Sequence, residues 1–302
     1  MRSIAVLRAG ALGDVLLTLP ALAALRRRYP AARLQVIGYP SIWRIAGPLV
    51  DEILSIDTAS LAGLLTGTPA PALEGTDLLV AWSARAPAPL PGAILLHASP
   101  YPPPGVHAAD WILQTLDLPP VPETDLLRLT PAEFERAGHI LSAAGLTRPI
   151  VIHPGAGAAW KRWPPECFAG LAQQLVDDSR PVALLQGPAD AGAIAAVQAH
   201  LARPLPVIRE PDLRVLATLL ARAAAYVGND SGVTHLAALA GTPTTVLFGP
   251  TDPVSWAPRG ATVLRTCRSS TARQGDIRVC HNPICMAGIA VETVLAQLAA
   301  ER

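Results

Sequence analysis

The sequence predicts an α/β protein of two domains, each a parallel sheet wound with helices, and three observations predict it. Short apolar runs alternate with segments of helical periodicity along the whole chain. Several of those runs end in glycine loops that open a helix. A stretch at 116–131, rich in proline and acidic residues, separates the two halves.

Composition fits this design. At 302 residues the chain is long enough for two domains that bury cores without help from disulfides or metal. With 51% hydrophobic and 16% charged residues it is not a disordered chain, and the balance favours buried parallel strands flanked by helices. A formal net charge of +1 gives no general attraction to nucleic acid or to an anionic bilayer, so any basic site is local and no nucleic-acid partner is expected. Residues 1–28 place Arg2 ahead of a stretch rich in Leu and Ala. Arg8 and Asp14 interrupt that stretch, and no segment approaches about 20 uninterrupted apolar residues. The expectation is a cytoplasmic protein without a membrane span, in at most peripheral contact with a membrane. Among 24 basic side chains only Lys161 is a lysine. A lysine retained where arginine is otherwise used is a candidate functional group.

In the first half, residues 4–7 form an apolar run that meets Gly10 and Gly13, after which Val15, Leu16, Leu19, Leu22, Ala23 and Leu25 recur at helical spacing. Arg26, Arg27 and Arg28 close that helix where its dipole favours cations, and Pro30 stops it. Further strands are expected at 34–38, 53–56, 78–82 and 94–97, which completes a doubly wound sheet. After the linker a helix is expected over 133–144. Strands then return at 150–153, 182–186, 206–208, 226–228 and 244–248, with helical patterns between them. The domains are therefore set at 1–130 and 131–290, followed by an amphipathic helix at 291–302 that is free to cross back to the first domain.

Three loops carry chemistry. The first, Gly228-Asn229-Asp230-Ser231-Gly232-Val233-Thr234-His235, lies where a strand ends and a helix begins. Unpaired amides at a helix start, small residues and the positive end of the dipole together make an anion site. His235, four residues beyond Ser231, faces the same side one turn on. The plainer reading gives Asp230 or Ser231 a capping role and His235 a place in the core. The second loop is His153-Pro154-Gly155-Ala156-Gly157. It leads through Trp160, Lys161, Arg162 and Trp163 to Pro164 and Pro165, which suit the start of a helix. Its two cations beyond flexible glycines can clamp a diphosphate, although an exposed loop pinned by its two tryptophans has the same composition. The third loop is Gly10-Ala11-Leu12-Gly13-Asp14, beyond the carboxyl end of the first strand, where open parallel sheets bind ligands. A carboxylate there can take a proton from an incoming hydroxyl, or can simply cap the helix. The glycine spacing completes no dinucleotide fingerprint.

Of four cysteines, Cys167 sits apart while Cys267, Cys280 and Cys285 lie close together. In a reducing compartment these are thiols or metal ligands rather than disulfides. Cys267, Cys280, His281 and Cys285 have the donor types of a structural zinc site, but their spacing matches no standard finger and no metal is expected.

Taken in order, these loops resemble the heptosyltransferase family of inverting glycosyltransferases, glycosyltransferase family nine, which contains the bacterial lipopolysaccharide heptosyltransferases. The most specific part runs from Gly228 to His235, then through Ala240-Gly241-Thr242-Pro243 to Phe248-Gly249-Pro250-Thr251-Asp252-Pro253, Trp256 and Pro258. The opening Gly10 to Asp14 with Thr18-Leu19-Pro20 and the loop from His153 to Pro164 agree. The resemblance implies the GT-B architecture of two facing Rossmann-like domains with a cleft between them, the first receiving the acceptor and the second the donor. It implies that Asp14 is the general base, with Gly10 and Gly13 on the acceptor side. Lys161 corresponds to the donor-phosphate lysine, and Gly155, Asp230, Ser231, Gly232 and His235 belong to the donor site. Asp190 in Gly187-Pro188-Ala189-Asp190 corresponds to an acidic donor-side residue of the family. No cofactor and no metal are implied. The reaction implied moves a heptose or similar sugar from a nucleotide diphosphate donor, ADP-heptose first, to a lipopolysaccharide core or other cell-envelope glycan. Two other readings stand beside it: a sugar-nucleotide epimerase or hydrolase, and a non-catalytic nucleotide-sugar binding module. The chain departs from better-known members in the proline-rich segments 86–91 and 100–104 and in a first domain poor in cations apart from Arg26 to Arg28.

Overall fold

The computed structural model describes residues 1–66, 70–122, 126–266 and 284–300. The chain divides into two compact units, Met1–Arg128 and Leu129–Arg302.

The first unit runs β1 (Ser3–Leu7), α1 (Leu12–Arg28), β2 (Arg33–Gly38), α2 (Pro40–Trp43), β3 (Glu52–Ser55), α3 (Ala59–Thr66), β4 (Leu78–Trp82), β5 (Ile94–Ala98) and α4 (Ala108–Gln114). Its five strands are all parallel, in the order β3-β2-β1-β4-β5. Central strands covered on both faces need apolar side chains at every position, and all five residues of β4 are accordingly buried. Helix α1 has no side-chain cap from its N-cap Ala11, so the first turn depends on Asp14, whose Oδ2 accepts the Ala11 amide at 3.0 Å. At the other end Arg26 donates to the carbonyls of Ala32 at 2.8 Å and Leu49 at 3.2 Å and pairs with Asp51 at 2.6 Å. The arginine cluster thus closes the helix, and its first member ties the loops on either side of β2.

The second unit runs α5 (Pro131–Ala143), β6 (Ile150–His153), α6 (Pro165–Asp177), β7 (Val182–Leu185), α7 (Ala191–Gln198), β8 (Val207–Ile208), α8 (Leu213–Ala221), β9 (Ala225–Asn229), α9 (Gly232–Leu239), β10 (Thr244–Phe248), α10 (Pro253–Trp256), β11 (Thr262–Arg265), α11 (Ile284–Ala287) and α12 (Val291–Ala300). Helix α5 opens two residues before the expected 133. Thr130 caps it, accepting the Glu133 amide at 3.4 Å while Glu133 takes the Thr130 amide at 2.7 Å, and Pro131 fits the first helical position. The sheet is parallel throughout, in the order β11-β10-β9-β6-β7-β8. Numbered within the unit this is 3-2-1-4-5-6 read from the β8 edge, the Rossmann order. Strand β11 is absent from the sequence-based expectation. Its core includes Ile152, Trp163, Phe168, Leu171, Leu184, Val227 and Leu247, and α12 joins it through Val294 and Leu298.

No helix among the described residues is long and apolar enough to cross a membrane.

Candidate functional site

In a sheet of this order the winding direction reverses between β6 and β9, and the loops leaving those two strands part to make a crevice. Two of the three loops singled out in the sequence are the ones that leave them. Asn229, the fully buried last residue of β9, ties them together. Its Nδ2 donates to the carbonyls of Pro154 at 3.0 Å and Gly155 at 3.3 Å, and its Oδ1 accepts the Trp163 amide at 2.9 Å. One amide side chain thus satisfies three backbone groups of a loop whose only regular structure is a single 3-10 turn.

Lys161 ends a single 3-10 turn, Ala159–Lys161. Its Nζ lies 2.6 Å from Asp230 Oδ2, and the Thr251 hydroxyl donates to the same oxygen at 2.7 Å. The Lys161 side chain is 22% exposed and its ammonium also stands 5.4 Å from the Trp160 ring centre. Asp230 is therefore not the cap of α9. Ser231 is, its Oγ accepting the Thr234 amide at 3.4 Å. Gly232 opens the helix and His235 is buried one turn on, so the structure places the cap, the small residue and the lysine carboxylate pair at one helix start. Chemically, this is a cation beside helix amides, the arrangement that holds phosphate oxygens.

Asp190 lies under the same loop. Its carboxylate can only accept, so the 2.9 Å contact fixes the proton of the buried His153 on Nε2; the Gly187 amide donates to the same oxygen at 2.9 Å. His153 Nδ1 is left 3.5 Å from Ser231 Oγ. Space for the carboxylate comes from two glycines: a Cβ at Gly155 would stand 2.2 Å from Asp190 Oδ1, and one at Gly187 would stand 2.6 Å from Oδ2. The observed contact of Gly155 is thus with Asp190. The hydrogen bond from His153, helped by the Gly187 amide and the charge of Arg162, outweighs burial and holds the Asp190 carboxyl below its ordinary range. A depressed carboxyl contributes stability that is present above the unfolded-state value and lost as pH falls through the folded one. Asp190→Asn is therefore expected to be less stable than the native chain at neutral pH, with the difference closing below about pH 4; denaturant midpoints across pH 2–7 check it, and a gap independent of pH would refute the hydrogen-bonded, ionised Asp190 carboxylate.

In the first unit the winding reverses between β1 and β4. Beyond β1, Gly10 packs so tightly on Asp14 that a Cβ would stand 2.4 Å from the Asp14 Cβ. Arg8, only 4% exposed, reaches Asp14 Oδ1 at 2.7 Å and the Trp82 carbonyl at 3.3 Å. Sequence reasoning assigns Arg8 nothing; the signal available was a lone arginine at the carboxyl end of an apolar parallel strand. Burial lowers its proton affinity, while Asp14 and Tyr101 act in the opposite sense.

Cys267, Cys280 and His281 lie outside the described residues. Cys285 is half-buried in α11, and its carbonyl accepts the Thr266 hydroxyl at 2.5 Å.

Two Rossmann-like units, each with its own parallel sheet, are the fold of a known class of glycosyltransferase. A glycosyltransferase family 9 structure from Veillonella parvula DSM 2008 matches with a TM-score of 0.79 and 23% identity, over 99% of this chain and 97% of that one. Escherichia coli ADP-heptose LPS heptosyltransferase II matches with a TM-score of 0.70 and 21% identity, over 100% and 99%. The pattern of the family "Glycosyltransferase family 9 (heptosyltransferase)" matches residues 113–279, more than half of the chain. The chain belongs to glycosyltransferase family 9, the family that its loops resemble. Lipooligosaccharide heptosyltransferase 2 of Haemophilus influenzae is 33% identical over 141 residues, 43% of this chain and 40% of that protein. Lipopolysaccharide heptosyltransferase 2 of Escherichia coli K12 is 38% identical over 116 residues, 35% of this chain and 32% of that one. The matched stretches thus span well under half the length of these relatives.

Proposed function

We propose that this chain is a cytoplasmic heptosyltransferase that moves a heptose or similar sugar from a nucleotide diphosphate donor, ADP-heptose, to a lipopolysaccharide core or other cell-envelope glycan. The observation that carries the reading is the contact of Lys161 with Asp230, 2.6 Å apart at the start of α9 and on the β6/β9 crevice of a family 9 sheet. The donor diphosphate lies against the opening amides of α9 and draws the Lys161 ammonium from Asp230. Asp230, Ser231, Gly232, Gly155 and His235 surround the activated sugar. In the reaction an acceptor hydroxyl oxygen attacks the anomeric carbon from the face opposite the diphosphate. The bond from that carbon to the phosphate oxygen breaks, its electron pair leaves with the nucleoside diphosphate, and configuration inverts. Asp14, beside Gly10 and Gly13, takes the hydroxyl proton. Lys161 and the helix amides neutralise charge growing on the leaving phosphate, work done in other enzymes by a bridging metal.

The test is calorimetry with ADP-heptose on the native protein and on Lys161→Ala. Removing a charge-assisted contact and leaving Asp230 next to a diphosphate is expected to weaken binding by about 10–100-fold. Equal affinity in the two proteins sinks the clamp. Hydrolysis or isomerisation of the donor with no acceptor present would replace transfer with the epimerase or hydrolase reading, and binding without turnover on any glycan would leave a nucleotide-sugar binding module.

A further inference from the structure

Arg8 carries no part of the function above, yet the first unit is built around it. Its amide donates to the Ile37 carbonyl at 3.0 Å and its carbonyl accepts the Trp43 indole at 3.1 Å, so the backbone is pinned to β2 on one side and to the last residue of α2 on the other. Gly38 is needed for that grip, since a Cβ there would stand 2.7 Å from the Arg8 carbonyl and 2.2 Å from Trp43 Nε1. From this fixed root the guanidinium reaches Asp14 Oδ1 at 2.7 Å, while the Ala11 amide holds Oδ2 at 3.0 Å. Both oxygens of the carboxylate are thereby fixed, and a third of its surface stays exposed. The guanidinium Nε is buried and finds no hydrogen-bond partner among the described residues. Burying a cation with an unmet donor works against folding, and such a group is retained for what it does to its neighbour.

We propose that Arg8 is a positioning residue for Asp14: it fixes the plane and the direction of the carboxylate that takes the acceptor proton. The inference rests on the reading of Asp14 as the base. A carboxylate held at one oxygen by an amide alone rotates about its side-chain bonds, and misplacement by about 1 Å is enough to cost on the order of 100-fold in rate. Because Arg8 acts through Asp14, its removal changes turnover and leaves donor affinity alone.

Asp14→Asn, Arg8→Met, Arg8→Lys and the double variant Arg8→Met/Asp14→Asn test this, with kcat, donor KM and thermal midpoint measured for each. Arg8→Met is expected to lower kcat by about 30-fold with donor KM unchanged, and Arg8→Lys, which keeps a cation within reach of Oδ1, to recover to within about 3-fold of native. In the Asp14→Asn background, Arg8→Met is expected to add nothing to the loss. Two outcomes overturn the proposal: a double variant as slow as the product of the two single losses, or a kcat of Arg8→Met equal to the native value. Native turnover in Asp14→Asn refutes the base itself, a distinct failure visible before any Arg8 variant is made. Should Arg8→Met fail to fold, Arg8→Gln takes its place in the same cycle with the same criteria.

Discussion

Asp14→Asn is expected to lower turnover by about 100- to 10,000-fold, the usual worth of a general base, while the donor binds as before. The substitution is nearly isosteric. Asparagine keeps an oxygen for the Ala11 amide, now 3.0 Å from Oδ2, so the first turn of α1 retains its cap. What disappears is the capacity to take a proton and the counter-charge for Arg8, 2.7 Å away. Arg8 is buried whereas Asp14 is one-third exposed, so the unpaired guanidinium costs about 1–3 kcal/mol rather than the full penalty of a buried ion. Two measurements separate the losses: steady-state transfer reads the base, and a denaturant midpoint reads the orphaned cation. A protein with native turnover and a lowered midpoint would leave Asp14 as a structural partner of Arg8 and nothing more.

Trp163→Ala is the largest expected loss of stability. Trp163 is 1% exposed, packs edge-on against Phe168 with ring centres 4.9 Å apart at 84°, and donates from Nε1 to the Ile289 carbonyl at 3.0 Å. Truncating a buried aromatic of this kind costs about 3–5 kcal/mol, and the abandoned Ile289 carbonyl adds to it. For a unit of this size that corresponds to roughly 6–20 °C in the thermal midpoint. The damage reaches the site, because Trp163 is two residues beyond Lys161 and its amide is the one held by Asn229 Oδ1 at 2.9 Å. Donor affinity should therefore fall together with stability, and a midpoint within about 2 °C of native would show that the loop does not depend on this anchor.

Much of the architecture was legible because strands buried on both faces of a parallel sheet appear as largely apolar runs rich in branched residues: residues 4–7, 78–82, 150–153 and 244–248 all lie within observed strands. Strand β11 escaped for the same reason in reverse. Its four residues are all half-buried at a sheet edge, so they carry neither a continuous apolar run nor clear alternation. The loops of the candidate site were legible as glycine-containing turns between strand and helix, and Lys161 stood out as the lone lysine. Their cross-links were not. Asn229 meets Pro154 and Gly155 across 75 and 74 residues, and Lys161 meets Asp230 across 69. Such pairings exist only once the strand order is set, and periodicity is blind to them. The same holds for Arg26, whose partner Asp51 is 25 residues away. Local spacing marks Arg26 as a helix-end cation; the sheet makes it a tie between loops.

The neighbourhood of β6 and β9 has a consequence for biosynthesis. When β6, β7 and β8 have left the ribosome, β6 still lacks its second neighbour, because β9 begins at Ala225. A strand whose four residues are all buried in the finished fold then presents a bare ladder of amides and carbonyls to other nascent chains. Self-association is therefore most acute for chains stalled between Ile208 and Ala225, and arrival of β9 both quenches that hazard and closes the Asn229 tether.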